Sequence, residues 1–251
     1  MLSTNTTCQV RSYLALAFGV VMIIAVRLAA LGETEGWNDW SHASWQALGQ
    51  LPSPMVWTWE PWHQSTEDMY HIPSLKFYGK YASLRSTLDY NYHYNYSRAR
   101  QLLQDAIVEK MLNNTWIIGE DGNTCETPAE PWIVFTAGAM GAGKSWTIHQ
   151  LAARGHFPLK SFVAVDPDDI CRHLPEFKWS IEQFPQQAGE WTQKEAGYIA
   201  ELLTQIALEQ GKNVLVADGS LRDAALYRTY FRQLKQSYSR LQIGILHITA
   251  P

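Results

Sequence analysis

From Pro131 onward, short apolar runs alternate with longer segments in which apolar residues recur at helical spacing. The short runs are rich in β-branched residues and predict buried strands, whereas the longer segments predict helices. Strands that alternate with helices form a parallel sheet through right-handed crossovers, so we predict a three-layer α/β fold. The predicted strands are 132–137, 162–165, 213–217 and 243–250, and the predicted helices are 144–154, 194–210 and 223–237.

The amino-terminal part of the chain contains an uncharged run, YLALAFGVVMIIAV at 13–26, followed by Arg27. We expect an apolar helix over about 13–31, long enough to cross a bilayer, within an N-terminal tail at 1–36. A single-pass signal anchor, a cleaved signal peptide and a buried helix of a cytoplasmic protein all fit this run, and we favour membrane insertion. With Arg11 before the run and acidic residues after it, the positive-inside rule would place the rest of the chain outside the cytosol, whereas ATP use favours the cytosol, so the side of the membrane stays open.

Residues 37–129 lack the alternation of strands and helices and predict a linker with a helical extension. Six tryptophans and three prolines between Trp37 and Trp62 exclude a regular helix there. A helix is predicted to start after Ser97, which has the side chain of an N-cap. Its apolar face, which we expect to pack against the following domain, comprises Leu102, Leu103, Ala106, Ile107 and Met111.

Charge and cysteine content bear on partners and on the compartment. A net charge of −4 provides no general basic field, so we expect no nucleic-acid partner. The three cysteines are widely spaced and predict unrelated thiols rather than a disulfide framework or a metal knuckle. Three N-x-[ST] sequences, which matter only in a lumenal domain, start at Asn5, Asn95 and Asn113.

The segment GAMGAGKS matches G-x-x-x-x-G-K-[ST] without departure and lies between a predicted strand and a predicted helix. Its glycines allow turns that point backbone amides at phosphate oxygens, and the following helix adds the positive end of its dipole. We expect Lys144 to reach the β- and γ-phosphates of ATP and the Ser145 hydroxyl to bind Mg²⁺. The predicted nucleotide-binding residues are Gly138, Ala139, Met140, Gly141, Ala142, Gly143, Lys144 and Ser145.

Carboxylates follow the second predicted strand in FVAVDPDDI. If the backbone stays extended, Asp166 and Asp168 point to the same side. In one interpretation, Asp166 supports Mg²⁺ and Asp168 accepts the proton of an attacking hydroxyl. In the other, Asp166 supports the metal and Asp168 only caps a helix that begins at Asp169. The residues alone leave both interpretations open.

Asp218 follows the third predicted strand and precedes Ser220 and Arg222. Either Asp218 or Ser220 suits the cap of the next helix, whereas Arg222 suits a phosphate or substrate oxygen over the same crevice. Glu195 lies near the start of a predicted helix, where the helix dipole alone favours a carboxylate.

Together these segments resemble the zeta-toxin family of P-loop kinases, bacterial toxins and their eukaryotic relatives. The resemblance covers roughly Glu130 to the end and rests on GAMGAGKS, VDPDDICRHLPEF, EAGYIAELL and VLVADGSLRD in that order. It implies a P-loop kinase-like domain at 130–251 that transfers a phosphoryl group from ATP to a hydroxyl of a small molecule, in the bacterial members a UDP-activated amino sugar. By matching position, it implies Asp168 as the catalytic base, Lys144 as the phosphate lysine, and Glu195, Asp218 and Arg222 as substrate-side residues.

Two features depart from the family pattern. D-G-S at 218–220 replaces the frequent E-G-T, which shortens the reach of the carboxylate. The lid arginines of the family lie beyond the strand that matches IGILHITA, so we expect a lid after Pro251 in a longer protein. The resulting hypothesis is a membrane-tethered, Mg²⁺- and ATP-dependent kinase of a small hydroxyl-bearing substrate. The alternative is a membrane-tethered nucleotide-binding adaptor or pseudokinase without transfer activity.

Overall fold

A computed structural model describes residues 7–8, 22–27, 65–118, 123–125, 127–217 and 221–249. The strands are β1 (Thr7–Cys8), β2 (Met22–Arg27), β3 (His71–Ile72), β4 (Asn95–Tyr96), β5 (Ile117–Ile118), β6 (Thr124–Cys125), β7 (Thr127–Pro128), β8 (Trp132–Ala137), β9 (Phe162–Val165), β10 (Asn213–Val216) and β11 (Gln242–Thr249). The helices are α1 (Thr66–Tyr70), α2 (Ala82–Arg85), α3 (Arg98–Asn113), α4 (Lys144–Ala153), α5 (Pro167–His173), α6 (Pro175–Gln183), α7 (Ala188–Glu209) and α8 (Ala224–Ser237), with a 3₁₀ turn at Leu159–Ser161.

The predicted parallel sheet is confirmed. Its strand order in the described residues is β2-β11-β8-β10-β9, and every neighbouring pair is parallel. In β10, Val216 pairs with Phe135 of β8 on one side and Val165 of β9 on the other. These three strands therefore end at the same edge, and the segments that follow them leave the sheet side by side.

Side chains alternate between the two faces of the sheet, as the period of an extended strand requires. On one face, Ile133 and Phe135 belong to the main core with residues of α3, α7 and α8. On the other face, Val134 and Leu215 pack in a second cluster with Ile148 of α4. The predicted arrangement of a sheet between two helical layers is thus confirmed.

The expectation of an apolar helix at 13–31 is corrected in the part that the structure describes. Residues Met22–Arg27 form β2, which pairs in parallel with β11 from Gly244↔Met22 to Thr249↔Arg27. A strand of a parallel sheet is often a nearly continuous apolar run, and the β-branched residues Ile23, Ile24 and Val26 favour a strand over a helix. Among the described residues, no helix is long and apolar enough to cross a membrane.

The extension at 65–118 shares the main core with the sheet, through residues such as Tyr96, Ile107 and Val108. Ser97 caps α3 as predicted, with its Oγ accepting from the backbone N of Arg100. The expected apolar face of α3 is confirmed only in part: Ile107 is buried and Leu103 and Met111 pack against the core. Leu102 is instead 46% exposed, and polar residues point inward. The buried polar residues of α3 are Arg100, Gln101, Gln104 and Asp105.

The expectation of three unrelated thiols is also corrected. Cys125 is disulfide-bonded, whereas Cys171 is a free and buried thiol. The short strand β1 pairs with β7, with Cys8 opposite Pro128, so the sheet brings distant parts of the chain together near Cys125. Sequence spacing alone does not show such proximity. The tryptophan-rich segment at 37–62 lies outside the described residues.

Candidate functional site

The loop between β8 and α4 has the glycine conformations that its sequence motif requires. Gly141 and Gly143 adopt positive φ angles of 77° and 78°. Gly143 is the N-cap of α4 and offers no side chain, so the first backbone N–H groups of this helix point toward the loop without a side-chain partner. Exposed amides at a helix N-terminus carry the positive end of the helix dipole and suit an anion.

Gly138 is also required for a steric reason. Its φ is 152°, and a Cβ at this position would lie 2.3 Å from the backbone O of Ile248 in β11. No atom lies within 4 Å of the corresponding position at Gly141, although its φ is also positive. The loop therefore approaches the neighbouring strand most closely at its first glycine.

We expect Gly138→Ala to destabilise the protein by about 1–3 kcal/mol more than Gly141→Ala, because only the first adds a clash to the cost of positive φ. Urea denaturation of both variants and of the unchanged chain measures this difference. Equal losses of stability in the two variants would contradict the close approach of Gly138 to β11.

The motif lysine lies against its own loop. The Lys144 Nζ donates to the backbone O of Gly138 and of Ala139, each at 3.2 Å. An ammonium held beside the amides of the loop makes the centre of this turn electropositive. The hydroxyl-bearing residue Ser145 is exposed in the first turn of α4, and Met140 is 97% exposed at the tip of the loop.

The carboxylates after β9 are arranged differently from the extended geometry that the spacing predicted. Helix α5 begins at Pro167, and its N-cap is Asp166, whose Oδ1 accepts from the backbone N of Asp168 at 3.0 Å. Asp168 is thus a residue of the first turn rather than a cap, and its side chain is exposed. Burial raises the pKa of the Asp166 carboxyl above its usual value. The argument that extended backbone aligns Asp166 with Asp168 is therefore wrong.

β10 is adjacent to β8, the strand that precedes the glycine-rich loop. A side-chain hydrogen bond joins β8 to the backbone where β10 ends. The Thr136 Oγ1 donates to the backbone O of Ala217 at 2.6 Å. Asp218 and Ser220 lie outside the described residues, and Arg222 is exposed. Asp223, rather than either of the expected residues, caps α8 by accepting from the N–H groups of Ala225 and Leu226.

Comparison with known proteins identifies the group to which these features belong. The family model described as Zeta toxin matches residues 117–248, more than half of the chain. The chain belongs to the zeta toxin family. No curated protein matches it.

Solved structures of other proteins resemble the chain at low identity. One, from the PezAT chromosomal toxin–antitoxin system of the human pathogen Streptococcus pneumoniae, has 20% identity and a TM-score of 0.45 and covers 61% of this chain and 58% of that chain. A second, AvrRxo1-ORF1:-ORF2 with ATP, has 14% identity and a TM-score of 0.44 and covers 73% of this chain and 55% of that chain. This chain thus spans little more than half the length of the solved chains that it matches.

Glu195, which the family resemblance implies as a substrate-side residue, is enclosed in the protein interior. Glu195 is 0% exposed, and its two oxygens accept from Nε and Nη2 of Arg100, both at 2.7 Å. The Gln104 Nε2 donates to the same carboxylate at 2.8 Å. A buried carboxylate bound at both oxygens has none free for a substrate in this arrangement, so the contacts show a structural role and the substrate-side role stays a prediction.

Arg100 binds a second carboxylate from the LPEF segment. Its Nη1 and Nη2 donate to the two oxygens of Glu176 at 2.9 and 3.0 Å, and the Tyr70 hydroxyl donates to Glu176 at 2.6 Å. Burial would raise the pKa of the Glu176 carboxyl, but the charge and hydrogen bonds of Arg100 hold that pKa below its usual value. Arg100, Glu176 and Glu195 thus join the extension to α6 and α7, and we call them the Arg100 cluster.

The sequence carried only part of the signal for this cluster. Polar residues at Arg100, Gln101, Gln104 and Asp105 recur at helical spacing and mark a polar stripe on α3. That spacing indicates a polar face of α3, but it does not show that this face is buried. It does not identify the partners, which lie 76 and 95 residues away along the chain.

Proposed function

We propose that the chain binds ATP through the loop at 138–145 and transfers its γ-phosphoryl group to a hydroxyl of a small molecule. The observation that supports it most is the geometry of the loop. Backbone amides without a side-chain cap at the start of α4, left-handed glycines and the Lys144 ammonium all belong to one turn. Backbone donors and a lysine in this arrangement suit the β- and γ-phosphates of a nucleoside triphosphate.

The metal requirement follows from the charge of the ligand. Mg²⁺ neutralises phosphate charge and prefers oxygen ligands. The exposed Ser145 hydroxyl at the first turn of α4 has the chemistry to hold it. Asp166 is the second proposed metal residue, although its carboxylate also caps α5. β9 lies two strands from β8, about 10 Å at the usual strand spacing. The proposed role of Asp166 therefore requires the metal to lie between the ends of these two strands.

Asp168 is the proposed general base. Its carboxylate is exposed in the first turn of α5, at the edge of the sheet where the glycine-rich loop also leaves β8. A carboxylate placed beside the acceptor hydroxyl takes up its proton as the oxygen attacks phosphorus, a contribution of about 10²–10⁴-fold in rate. Arg222 and Asp218, which follow β10 along the chain, are the proposed substrate-side residues. A nucleotide-linked amino sugar is the acceptor class to test first.

We expect Asp168→Asn to retain ATP affinity and to lose phosphoryl transfer by about 10²-fold or more, because the amide cannot accept the proton. The control is Asp169→Asn, which removes a neighbouring carboxylate that faces Arg172 at 3.5 Å. Transfer is measured as labelled phosphate moved from γ-labelled ATP to a panel of nucleotide sugars and sugar alcohols. Transfer at the unchanged rate in Asp168→Asn would remove this residue from the mechanism.

A second candidate function is nucleotide binding without transfer. The observation that favours it is the engagement of Glu195 by Arg100, since a residue that the family resemblance puts beside the substrate is occupied in the interior. In that case ATP binds with the same dependence on Lys144, and no acceptor in the panel receives phosphate from the unchanged chain. The same pair of measurements therefore separates the two candidates.

A further inference from the structure

The structure describes two of the three N-x-[ST] sequences, and the two differ in accessibility, whereas Asn5 lies outside the described residues. Asn95 is 3% exposed, and its amide donates to the backbone O of Ser74 at 2.7 Å and of Lys76 at 3.0 Å. Its Oδ1 accepts from the backbone N of Tyr96 and from Gln101. Every polar atom of that side chain is in use inside the protein, so a glycan on Asn95 is incompatible with this fold.

Asn113 has the opposite environment. It is the last residue of α3, it is exposed, and Asn114, the C-cap that follows it, is exposed as well. Thr115 completes the sequence, and its hydroxyl donates only to the backbone O of Leu112 at the helix end. A sugar chain attached here extends from the end of the helix into solvent without displacing a packed group. Trp116, 40% exposed, offers an apolar surface beside it.

A second observation, independent of the first, concerns the compartment. Cys125 is disulfide-bonded. Structural disulfides form and persist in oxidising compartments, such as the lumen of the secretory pathway, and are rare in the cytosol. The same compartment is the one in which N-x-[ST] sequences receive glycans. The exposed acceptor sequence and the disulfide are therefore both consistent with folding in the lumen of the secretory pathway.

We propose that Asn113 is an N-glycosylation site and that this domain folds in the lumen of the secretory pathway. The reaction transfers an oligosaccharide from a lipid-linked oligosaccharide diphosphate to the Asn113 Nδ2. The new bond joins Nδ2 to the anomeric carbon, the bond from that carbon to the diphosphate oxygen breaks, and Nδ2 loses a proton. The proposal does not rest on nucleotide binding, and the failure of one leaves the other standing.

The test uses the full chain expressed in a eukaryotic cell and treated with an endoglycosidase that removes N-linked glycans. We expect a fall in mass on treatment that is absent in Asn113→Gln and Thr115→Ala and is retained in Thr115→Ser, because serine also completes the acceptor sequence. Thr115→Ala loses the hydroxyl that donates to the backbone O of Leu112, whereas Thr115→Ser and Asn113→Gln keep it, so Asn113→Gln separates loss of the acceptor from a defect at the helix end. Glycosylation of Asn5, the remaining acceptor sequence, is tested by whether any fall in mass on endoglycosidase treatment persists in Asn113→Gln.

The disulfide is measured on the same samples by alkylating free thiols before reduction. We expect the Cys125 peptide to be alkylated only after reduction and the Cys171 peptide to be alkylated once the protein is unfolded. The absence of any mass shift in the unchanged chain, a shift that survives in full in Asn113→Gln, or alkylation of Cys125 without reduction would each overturn the proposal.

Discussion

Lys144→Ala is expected to abolish ATP-dependent phosphoryl transfer and to weaken ATP binding by about 10- to 100-fold. A hydrogen bond to a charged group contributes about 1.5–3 kcal/mol, and the ammonium is the only side-chain cation of the loop itself. In the structure this ammonium contacts the carbonyls of Gly138 and Ala139, and phosphate oxygens are stronger partners for it. Isothermal titration calorimetry with Mg-ATP measures the affinity.

Lys160→Ala is the matched control for that experiment. It removes the same charge from the same domain, but Lys160 lies over the Trp116 ring, 5.0 Å from its centroid, and not in the glycine-rich loop. We expect its ATP affinity to equal that of the unchanged chain. Thermal denaturation confirms that both variants fold. If both lysine variants lose affinity equally, a general charge effect rather than the loop geometry binds the nucleotide.

Arg100→Met is expected to destabilise the chain by about 3–5 kcal/mol, the usual cost of removing one partner from a buried ion pair. The variant keeps an unbranched side chain of similar length but leaves the carboxylates of Glu176 and Glu195 without a counter-charge in the interior. It also removes the guanidinium that lies over the Tyr70 ring at 4.1 Å. Urea denaturation at neutral pH gives the change in the free energy of unfolding.

Lys80→Met serves as the control, because Lys80 forms an ion pair with Glu109 of α3, the helix that also contains Arg100, but is 63% exposed. We expect little change in stability there. Adding Glu195→Gln to Arg100→Met should recover part of the loss, since it removes one uncompensated charge. An Arg100→Met variant as stable as the unchanged chain would show that the Arg100 cluster does not hold the extension to the sheet domain.

The pH dependence of that stability difference has a definite sign. The pKa of Glu176 is depressed in the folded chain, so its interaction with Arg100 stabilises the fold fully above the unfolded-state pKa of about 4.3. This stabilisation is lost as the pH falls through the folded-state pKa. In Arg100→Met, burial of Glu176 no longer has the opposing charge of Arg100, so protonation of its carboxylate at low pH stabilises the folded variant. The gap in stability between the two proteins should therefore narrow as the pH falls from neutral to below 4.3.

Much of the sheet could be predicted because its strands are short, apolar and separated by helices. The strands 132–137 and 162–165 have the observed bounds, and the glycine-rich loop lies where its motif requires. The predicted helix at the amino terminus is wrong over residues 22–27, because length and hydropathy do not distinguish a membrane helix from an apolar strand of a parallel sheet. Pairing with β11 decides that question, and pairing is not visible in the run itself.

The start of α5 is predictable from the Asp166-Pro167 sequence itself. Aspartate followed by proline suits an N-cap and the first helical position, and that is the role of Asp166 and Pro167. The position of Glu195 was not predictable in the same way. Its burial depends on Arg100, which belongs to a segment outside the region of family resemblance. A residue matched by family position can thus acquire a different environment from a neighbouring extension.

The most direct test of phosphate binding by the glycine-rich loop is phosphorus NMR of Mg-ATP in the presence of the full chain. We predict that the β- and γ-phosphate resonances shift or broaden more than the α-phosphate resonance and that Lys144→Ala removes the effect. Unperturbed resonances at a saturating concentration of protein, or a perturbation that is unchanged in Lys144→Ala, would contradict the account.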